Sequence, residues 1–195
     1  MRKIILILIF FISNFAFAQF DFRDPTGVSL NGGFFLPFSS SVYKTGFNLG
    51  LDVQHKIEPV YLFVSLANNF SSRKEITPND GFTNNSSTNL TELLAGARIP
   101  IGEKNLKYFI DVGMGFYFEK KSSYTMKLGG ISTEYPTENN TTFGGNVGVV
   151  AEYPLNKDFD FVAKAKYHLY FGVGNDPFLN TYFTLTGGIK YNIKF

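Results

Sequence analysis

Few side chains in this sequence have the chemistry of an active site or a metal centre. Its 195 residues include no cysteine and two histidines, His55 and His168. Thiol catalysis, disulfides and cysteine-based metal sites are thereby excluded. A histidine can activate a serine hydroxyl for nucleophilic attack, but two histidines so far apart in the sequence lack the spacing of metal ligands. We therefore expect no metal site and no cofactor.

Charged side chains are the larger group with potential chemistry. Basic and acidic residues are interspersed, with a formal net charge of +2, so nucleic acid is not an expected partner. Ten residues lie on polar strand faces opposite the apolar ones: Asp52, Glu92, Arg98, Asp111, Glu119, Glu152, Lys164, Lys166, His168 and Lys190. If these polar faces enclose a narrow interior, the charges must pair there, because an unpaired buried charge costs several kcal/mol. This set is the predicted polar network of the interior.

Eight segments of alternating apolar and polar residues position this charged set. They cover about 28–37, 45–56, 60–70, 89–99, 106–119, 141–153, 159–171 and 181–195. An alternation with a period of two is typical of β-strands. The segments exceed the ~5–6 residues of an average strand and suit tilted crossings of a bilayer. The predicted fold class is therefore all-β.

The connections between these segments are alternately short and long. Short links follow the second, fourth and sixth strands, and long polar stretches follow the third and fifth, at 71–88 and 120–140. This asymmetry is typical of transmembrane β-barrels, whose long loops lie outside the cell. The alternation alone does not say which face points inward. A soluble, lipocalin-like barrel with an apolar interior is the alternative.

The N-terminus has the organisation of an export signal. Arg2 and Lys3 precede an unbroken apolar run over 4–12, and Ala16-Phe17-Ala18 follows with small residues at the two cleavage-site positions. The apolar run is shorter than the ~20 residues that a membrane-spanning helix needs. We expect a cleaved signal peptide over 1–18, a short periplasmic segment over 19–27 and a barrel domain over 28–195.

The last predicted strand ends on an aromatic residue. Its apolar face carries Ile189, Tyr191, Ile193 and Phe195. With the signal, the eight alternating strands and the asymmetric connections, this ending resembles the small outer-membrane β-barrels of the OmpA, OmpX and OmpW type, including the porin-family barrels of Bacteroidota. The resemblance implies a monomeric, eight-stranded, antiparallel up-and-down transmembrane β-barrel in outer-membrane lipid, with both barrel termini in the periplasm. It also implies that the barrel-assembly machinery reads those four residues as an insertion signal.

These features favour a structural or surface-interaction role, with the interior closed by ion pairs. The alternative is a narrow porin-like channel for small solutes or ions. A third hypothesis, a lipid A-modifying enzyme, follows from enzymes within the resembled family. The deacylase pattern His-x-Ser-Asn is absent, however, because Leu169, Tyr170 and Phe171 follow His168. His55 is in phase with the apolar face of the second strand and lies near a short turn, which indicates a residue at the membrane–water interface. We therefore expect no enzymatic activity.

The two long loops, 71–88 and 120–140, are the expected contact surface for an extracellular protein or surface ligand. Gly129-Gly130 is a turn signal between segments 124–128 and 131–135, which would form a hairpin above the membrane. An exposed hairpin edge can pair with a strand of a partner.

Overall fold

The computed structural model describes residues 26–38, 43–72, 82–83, 87–103, 106–171 and 179–193. The predicted signal peptide, 1–18, and Phe195 lie outside the described residues. The first strand begins at Thr26, so the last two residues of the predicted periplasmic segment are part of the sheet.

The described residues form eleven strands. In chain order they are β1 (Thr26–Pro37), β2 (Gly46–Ile57), β3 (Val60–Ser72), β4 (Phe82–Thr83), β5 (Ser87–Glu103), β6 (Lys107–Lys121), β7 (Tyr124–Leu128), β8 (Ile131–Tyr135), β9 (Glu138–Pro154), β10 (Phe159–Phe171) and β11 (Leu179–Ile193). Within the described ranges, no helix has the length and apolar character needed to span a membrane.

Eight of these strands close into one antiparallel barrel. The order around the barrel is β1-β11-β10-β9-β6-β5-β3-β2, and closure is made by the pairing of β1 with β11, in which Val28 is opposite Tyr191. Because every strand has two neighbours, the barrel leaves no open edge in the bilayer, where unpaired backbone groups would be costly. The predicted eight-stranded up-and-down barrel is confirmed.

Several barrel strands are longer than their alternation indicated. β5 extends to Glu103, with a register shift against β6 between Pro100 and Gly102, because proline has no N–H to donate to the ladder. β9 begins at Glu138, where it pairs with Lys121 of β6. Proline and glycine interrupt the alternation at the end of β5, and polar residues at the start of β9 carry no apolar period, so the sequence underestimates the length of both strands.

The outer face of the barrel is apolar and the inner face is mostly polar. Met114 is 61% exposed and Phe34 58%, whereas the charged residues of the alternating strands lie inside. A soluble barrel has the opposite arrangement, so the lipocalin-like alternative is wrong. An apolar outer face is unfavourable in water but not in contact with lipid, which is itself apolar.

A small sheet lies at the end of the barrel that carries the long connections, here called the loop end. Its order is β4-β7-β8, and the predicted hairpin is its β7–β8 pair, with Leu128 opposite Ile131. Gly129 and Gly130 have φ values of 55° and 82°, which glycine adopts without steric cost. The opposite end, here called the turn end, has the short links.

Candidate functional site

The barrel wall directs all ten predicted charged residues into the interior. Each is at most 8% exposed, because alternate side chains of a strand point to one face. They come from six of the eight barrel strands, with none from β1 or β3. Nine of them form ion pairs in three groups, which are centred on Arg98, on the Asp52–Lys164 pair and on the Glu92–His168 pair, whereas Glu119 lies apart near the loop end.

Arg98 of β5 is the centre of the network in the turn-end half. Its Nε and Nη2 atoms donate to the two carboxylate oxygens of Asp111, at 2.7 and 2.9 Å. Its Nη1 lies 3.2 Å from Glu152 Oε1 and donates to Gln54 Oε1. A bidentate arginine–carboxylate pair is a strong and geometrically specific interaction. Arg98 therefore joins three other strands, β2, β6 and β9, across the interior.

Lys190 forms a second centre nearer the turn end. Its Nζ pairs with Glu152 and lies 2.8 Å from Asp160 Oδ2. Asn192 also donates to Asp160, at 3.0 Å. Asp160 was absent from the predicted network, although its inward phase was visible in the alternation. Lys190 and Arg98 share Glu152, so the two centres form one network.

Of two lysines on β10, Lys166 joins this network and Lys164 belongs to a separate group. Lys166 Nζ is 3.1 Å from Asp111 Oδ2 and 4.8 Å from the ring centroid of Phe63. Lys164 pairs with Asp52 of β2. Ser29 and Asn31 both donate to Asp52 Oδ2, each at 3.3 Å.

His168 and Glu92 form a pair closer to the loop end. His168 Nδ1 is 2.9 Å from Glu92 Oε2, and its Nε2 is 3.2 Å from Thr184 Oγ1. Tyr182 donates to Glu92 at 2.7 Å and stacks on the imidazole with 4.4 Å between ring centroids. Among the described residues, no serine hydroxyl forms a hydrogen bond with His168. Its ring nitrogens serve the interior network, which is unlike the arrangement that activates a nucleophile.

Glu119 and His55 lie apart from this network. Glu119 pairs with Lys121 at 3.3 Å, close to the loop end. His55 has the outward phase that was predicted, but it is only 8% exposed, and its Nδ1 lies 2.9 Å from Thr26 Oγ1. Within the described ranges, no group of three or more His, Asp or Glu side chains has the geometry to hold a metal ion.

Aromatic and apolar side chains fill the rest of the interior. At the loop end, one cluster consists of Phe35, Leu90, Leu94, Tyr117, Tyr170 and Tyr182. Tyr117 is fully buried, stacks on Tyr170 with 5.1 Å between ring centroids and donates to the Gly145 carbonyl at 3.0 Å. A second cluster, of Phe109, Val150 and Val162 with Tyr61 against it, lies towards the turn end. Sequence reasoning missed this filling, although several of these residues had the inward phase.

Two polar spaces lie beside the network. One, of about 310 Å³, is at the turn end, where Lys107, Glu152, Asp160 and Lys190 are among the residues that line it; it is called the vestibule below. The other has about 30 Å³ and lies within the barrel between the Asp52–Lys164 and Glu92–His168 pairs; it is called the internal cavity.

The apolar face of the last strand lies on the outside of the barrel. Ile189 and Tyr191 are 44% and 47% exposed, and Tyr191 packs against Phe159 with ring centroids 5.2 Å apart. Ile193 is the last residue of β11. The fourth residue of the predicted insertion signal, Phe195, lies outside the described part of the chain.

Comparisons with known proteins agree with this architecture. Residues 4–192 match a family described as outer membrane protein beta-barrel domain. The fold is similar to Neisserial surface protein A, with a TM-score of 0.58 at 16% identity over 87% of this chain and 97% of that one. It is also similar to a major outer membrane protein from Thermus thermophilus, with a TM-score of 0.56 at 13% identity over 86% of this chain and 99% of that one.

Identities this low show a common fold and nothing more specific. No curated protein matches the sequence. The family match, in contrast, spans nearly the whole chain, and the apolar outer face and closed barrel are what membrane insertion requires. The protein therefore belongs to the family of outer membrane protein β-barrel domains.

Proposed function

We propose that this protein is a monomeric, non-enzymatic outer-membrane barrel with a closed interior, whose loop end faces the outside of the cell and contacts a partner there. A cleaved signal peptide over 1–18 exports the chain, and both barrel termini lie in the periplasm. The pairing of the buried charges is the observation that supports a closed interior. Within the described ranges, each of the six buried carboxylates lies beside a lysine, arginine or histidine, namely those of Asp52, Glu92, Asp111, Glu119, Glu152 and Asp160.

The size of the barrel supports a closed interior. Eight strands enclose a space that side chains just fill, and here Arg98 and Tyr117 are both fully buried within it. The internal cavity of about 30 Å³ has room for about one or two water molecules, which is too little for a solute. A pathway would therefore require the Arg98 network and the aromatic cluster at the loop end to rearrange together.

A narrow channel remains the second candidate, and the vestibule is the observation that favours it. Its volume of about 310 Å³ and its mixed charges would admit a small polar solute at the turn end. The Glu152–Lys190 pair lines this space, and Glu152 also pairs with Arg98. Conductance distinguishes the two candidates. A lipid A-modifying enzyme is disfavoured, because Glu92, Thr184 and Tyr117 occupy the positions around the His168 ring.

The surface-interaction role rests on the sheet at the loop end. Within the described residues, β8 pairs only with β7, so its other edge presents unpaired backbone groups. Residues Ile131 to Glu134 of β8 are exposed, and Leu128 and Ile131 beside the turn are 64% and 71% exposed. An exposed strand edge is a template for pairing with another chain. The loops 71–88 and 120–140 are therefore the proposed binding surface for an extracellular protein or surface ligand.

Cysteine labelling on intact cells tests the location and the orientation. The chain has no cysteine, so Ser132→Cys on β8 and Leu155→Cys at the turn end each introduce a single thiol, and both positions are exposed. A membrane-impermeant maleimide should label the first variant on whole cells and the second only after the outer membrane is opened. Labelling of the second variant alone on whole cells would contradict the orientation.

Deletion of the hairpin tests the surface role. The variant replaces residues 124–135 with a short Gly-Ser turn, so that β6 and β9 remain joined. At equal amounts of folded barrel, cells that carry the wild-type protein should bind the extracellular protein or surface ligand more strongly than cells that carry the deletion. Equal binding by both strains would remove the hairpin from the proposal.

A further inference from the structure

The internal cavity lies between two groups of paired charges. Asp52 and Lys164 form its wall towards the turn end, and Glu92 and His168 form its wall towards the loop end. In the described part of the barrel, no hydrogen bond or ion pair directly links the Asp52–Lys164 pair to the Glu92–His168 pair. A polar molecule in the cavity would be within reach of both groups.

Two asparagines that line the cavity have buried polar atoms without a partner. Among the described residues, neither Oδ1 nor Nδ2 of Asn146 forms a hydrogen bond, and the same holds for Oδ1 of Asn31. The two residues are 6% and 4% exposed. Buried polar atoms nearly always have a partner, and ordered water commonly supplies it. The cavity and its unsatisfied atoms together indicate a ligand.

The lining of the cavity selects against ions. Lys164 and Lys166 would repel a metal cation, and Asp52 and Glu92 would repel an anion. The side-chain amide of Asn146 offers both donors and an acceptor, which suits a ligand that also does both. A volume of about 30 Å³ corresponds to about one or two water molecules. Water is the ligand that fits the charge, the hydrogen-bonding groups and the volume.

We propose that the internal cavity is a specific site for one or two water molecules, which satisfy Asn146 and Asn31 and join the Asp52–Lys164 pair to the Glu92–His168 pair. The two groups of paired charges are then linked through water inside the closed barrel. The proposal deepens the closed interior described above. Conductance through the barrel would refute the proposed closed interior. An empty cavity would refute only the water site, through the two tests below, and would leave the closed interior intact.

Magnetic resonance on the wild-type mature chain tests the site directly. The protein is labelled with ¹⁵N-asparagine and refolded in perdeuterated micelles, and the Nδ2 protons of Asn146 are assigned by their loss in Asn146→Val. We expect cross-peaks between these protons and water that have opposite signs in NOE and ROE spectra, which is the signature of bound water and not of chemical exchange. Their absence would overturn the proposal. The Nδ2 group of Asn69 is the control, because Asn69 does not line the cavity and its Nδ2 already donates to the Leu90 carbonyl at 3.2 Å.

The direction of a stability change gives a second, independent test. If water satisfies Asn146, then Asn146→Val removes hydrogen bonds, and the urea midpoint of unfolding should fall. In a dry cavity the same substitution would remove two unsatisfied atoms, so the midpoint would rise. Asn69→Val is the matched control, since the side-chain Oδ1 of Asn69 accepts from Asn48 Nδ2 at 2.6 Å and the loss of this bond should lower the midpoint in either case. A rise with Asn146→Val would overturn the proposal.

Discussion

Replacement of Arg98 by methionine should strongly destabilise the folded barrel. The guanidinium makes two bonds to Asp111, one to Glu152 and one to Gln54, and it is fully buried. Methionine is apolar and can occupy the space beside the Phe63 ring, over which the guanidinium carbon lies at 5.7 Å, but it leaves the carboxylates with fewer partners. Removal of one partner from a buried ion pair costs about 3–5 kcal/mol.

The structure places the expected loss at the lower end of this range. Asp111 keeps Lys166, at 3.1 Å, and Glu152 keeps Lys190, so neither carboxylate is left alone. A loss of about 3 kcal/mol in the free energy of unfolding corresponds to about two orders of magnitude in the unfolding equilibrium. The double variant Arg98→Met/Asp111→Asn should recover part of the loss, because the carboxylate that has lost its two hydrogen bonds from Arg98 is removed as well.

Urea titration in phospholipid vesicles measures these losses. The folded fraction is read from the gel-mobility difference between folded and heat-denatured barrel. A complete cycle with Arg98→Met, Asp111→Asn and the double variant gives the coupling energy, for which we expect about 1–3 kcal/mol, within the range for residues in direct contact. A destabilisation of Arg98→Met below about 0.5 kcal/mol, the size of an ordinary surface effect, would refute the reasoning about the network.

Two further predictions concern glycines. Gly96→Ala should lower the free energy of unfolding by roughly 1–3 kcal/mol, because its Cβ would lie 2.6 Å from Gly113 Cα and 2.9 Å from the Phe63 ring. Gly187→Ala is the control, since its Cβ would have no atom closer than 3.6 Å. An equal urea midpoint for both variants would contradict this prediction. Gly130→Val should loosen only the β7–β8 hairpin, because φ is 82° at this position and a β-branched residue is strained there. Trypsin should then cut the hairpin faster while the barrel midpoint stays unchanged, and an unaltered cleavage rate would count against the strained turn.

The sequence predicted the barrel because the face of each strand residue follows from local alternation. The boundaries of β10, Phe159–Phe171, agree with the prediction, since apolar and polar residues alternate there without interruption. The start of β9 at Glu138 was missed, because a run of asparagine and threonine has no apolar period. β4 was missed for a related reason: its two residues become a strand only through pairing with β7.

The pairing of the interior charges could not be predicted from the same pattern. Lys164 of β10 meets Asp52 of β2, and Arg98 of β5 meets Glu152 of β9, although neither pair of strands is adjacent in the barrel. Contacts across the interior depend on the stagger and tilt of the strands, which local alternation does not encode. The aromatic filling was missed because the prediction for the interior considered only the charged side chains of the inward face, on which Tyr117 and Tyr170 also lie.

Single-channel recording in planar bilayers tests the closed interior most directly. Folded wild-type protein and the Lys164→Ala/Lys166→Ala variant are compared, and the gel-mobility shift verifies that both samples are folded. Our account predicts no discrete openings from the wild-type barrel, because ion pairs and aromatic rings fill its interior. Discrete wild-type openings with a conductance that changes in the variant would contradict it, and would assign the interior to a narrow channel.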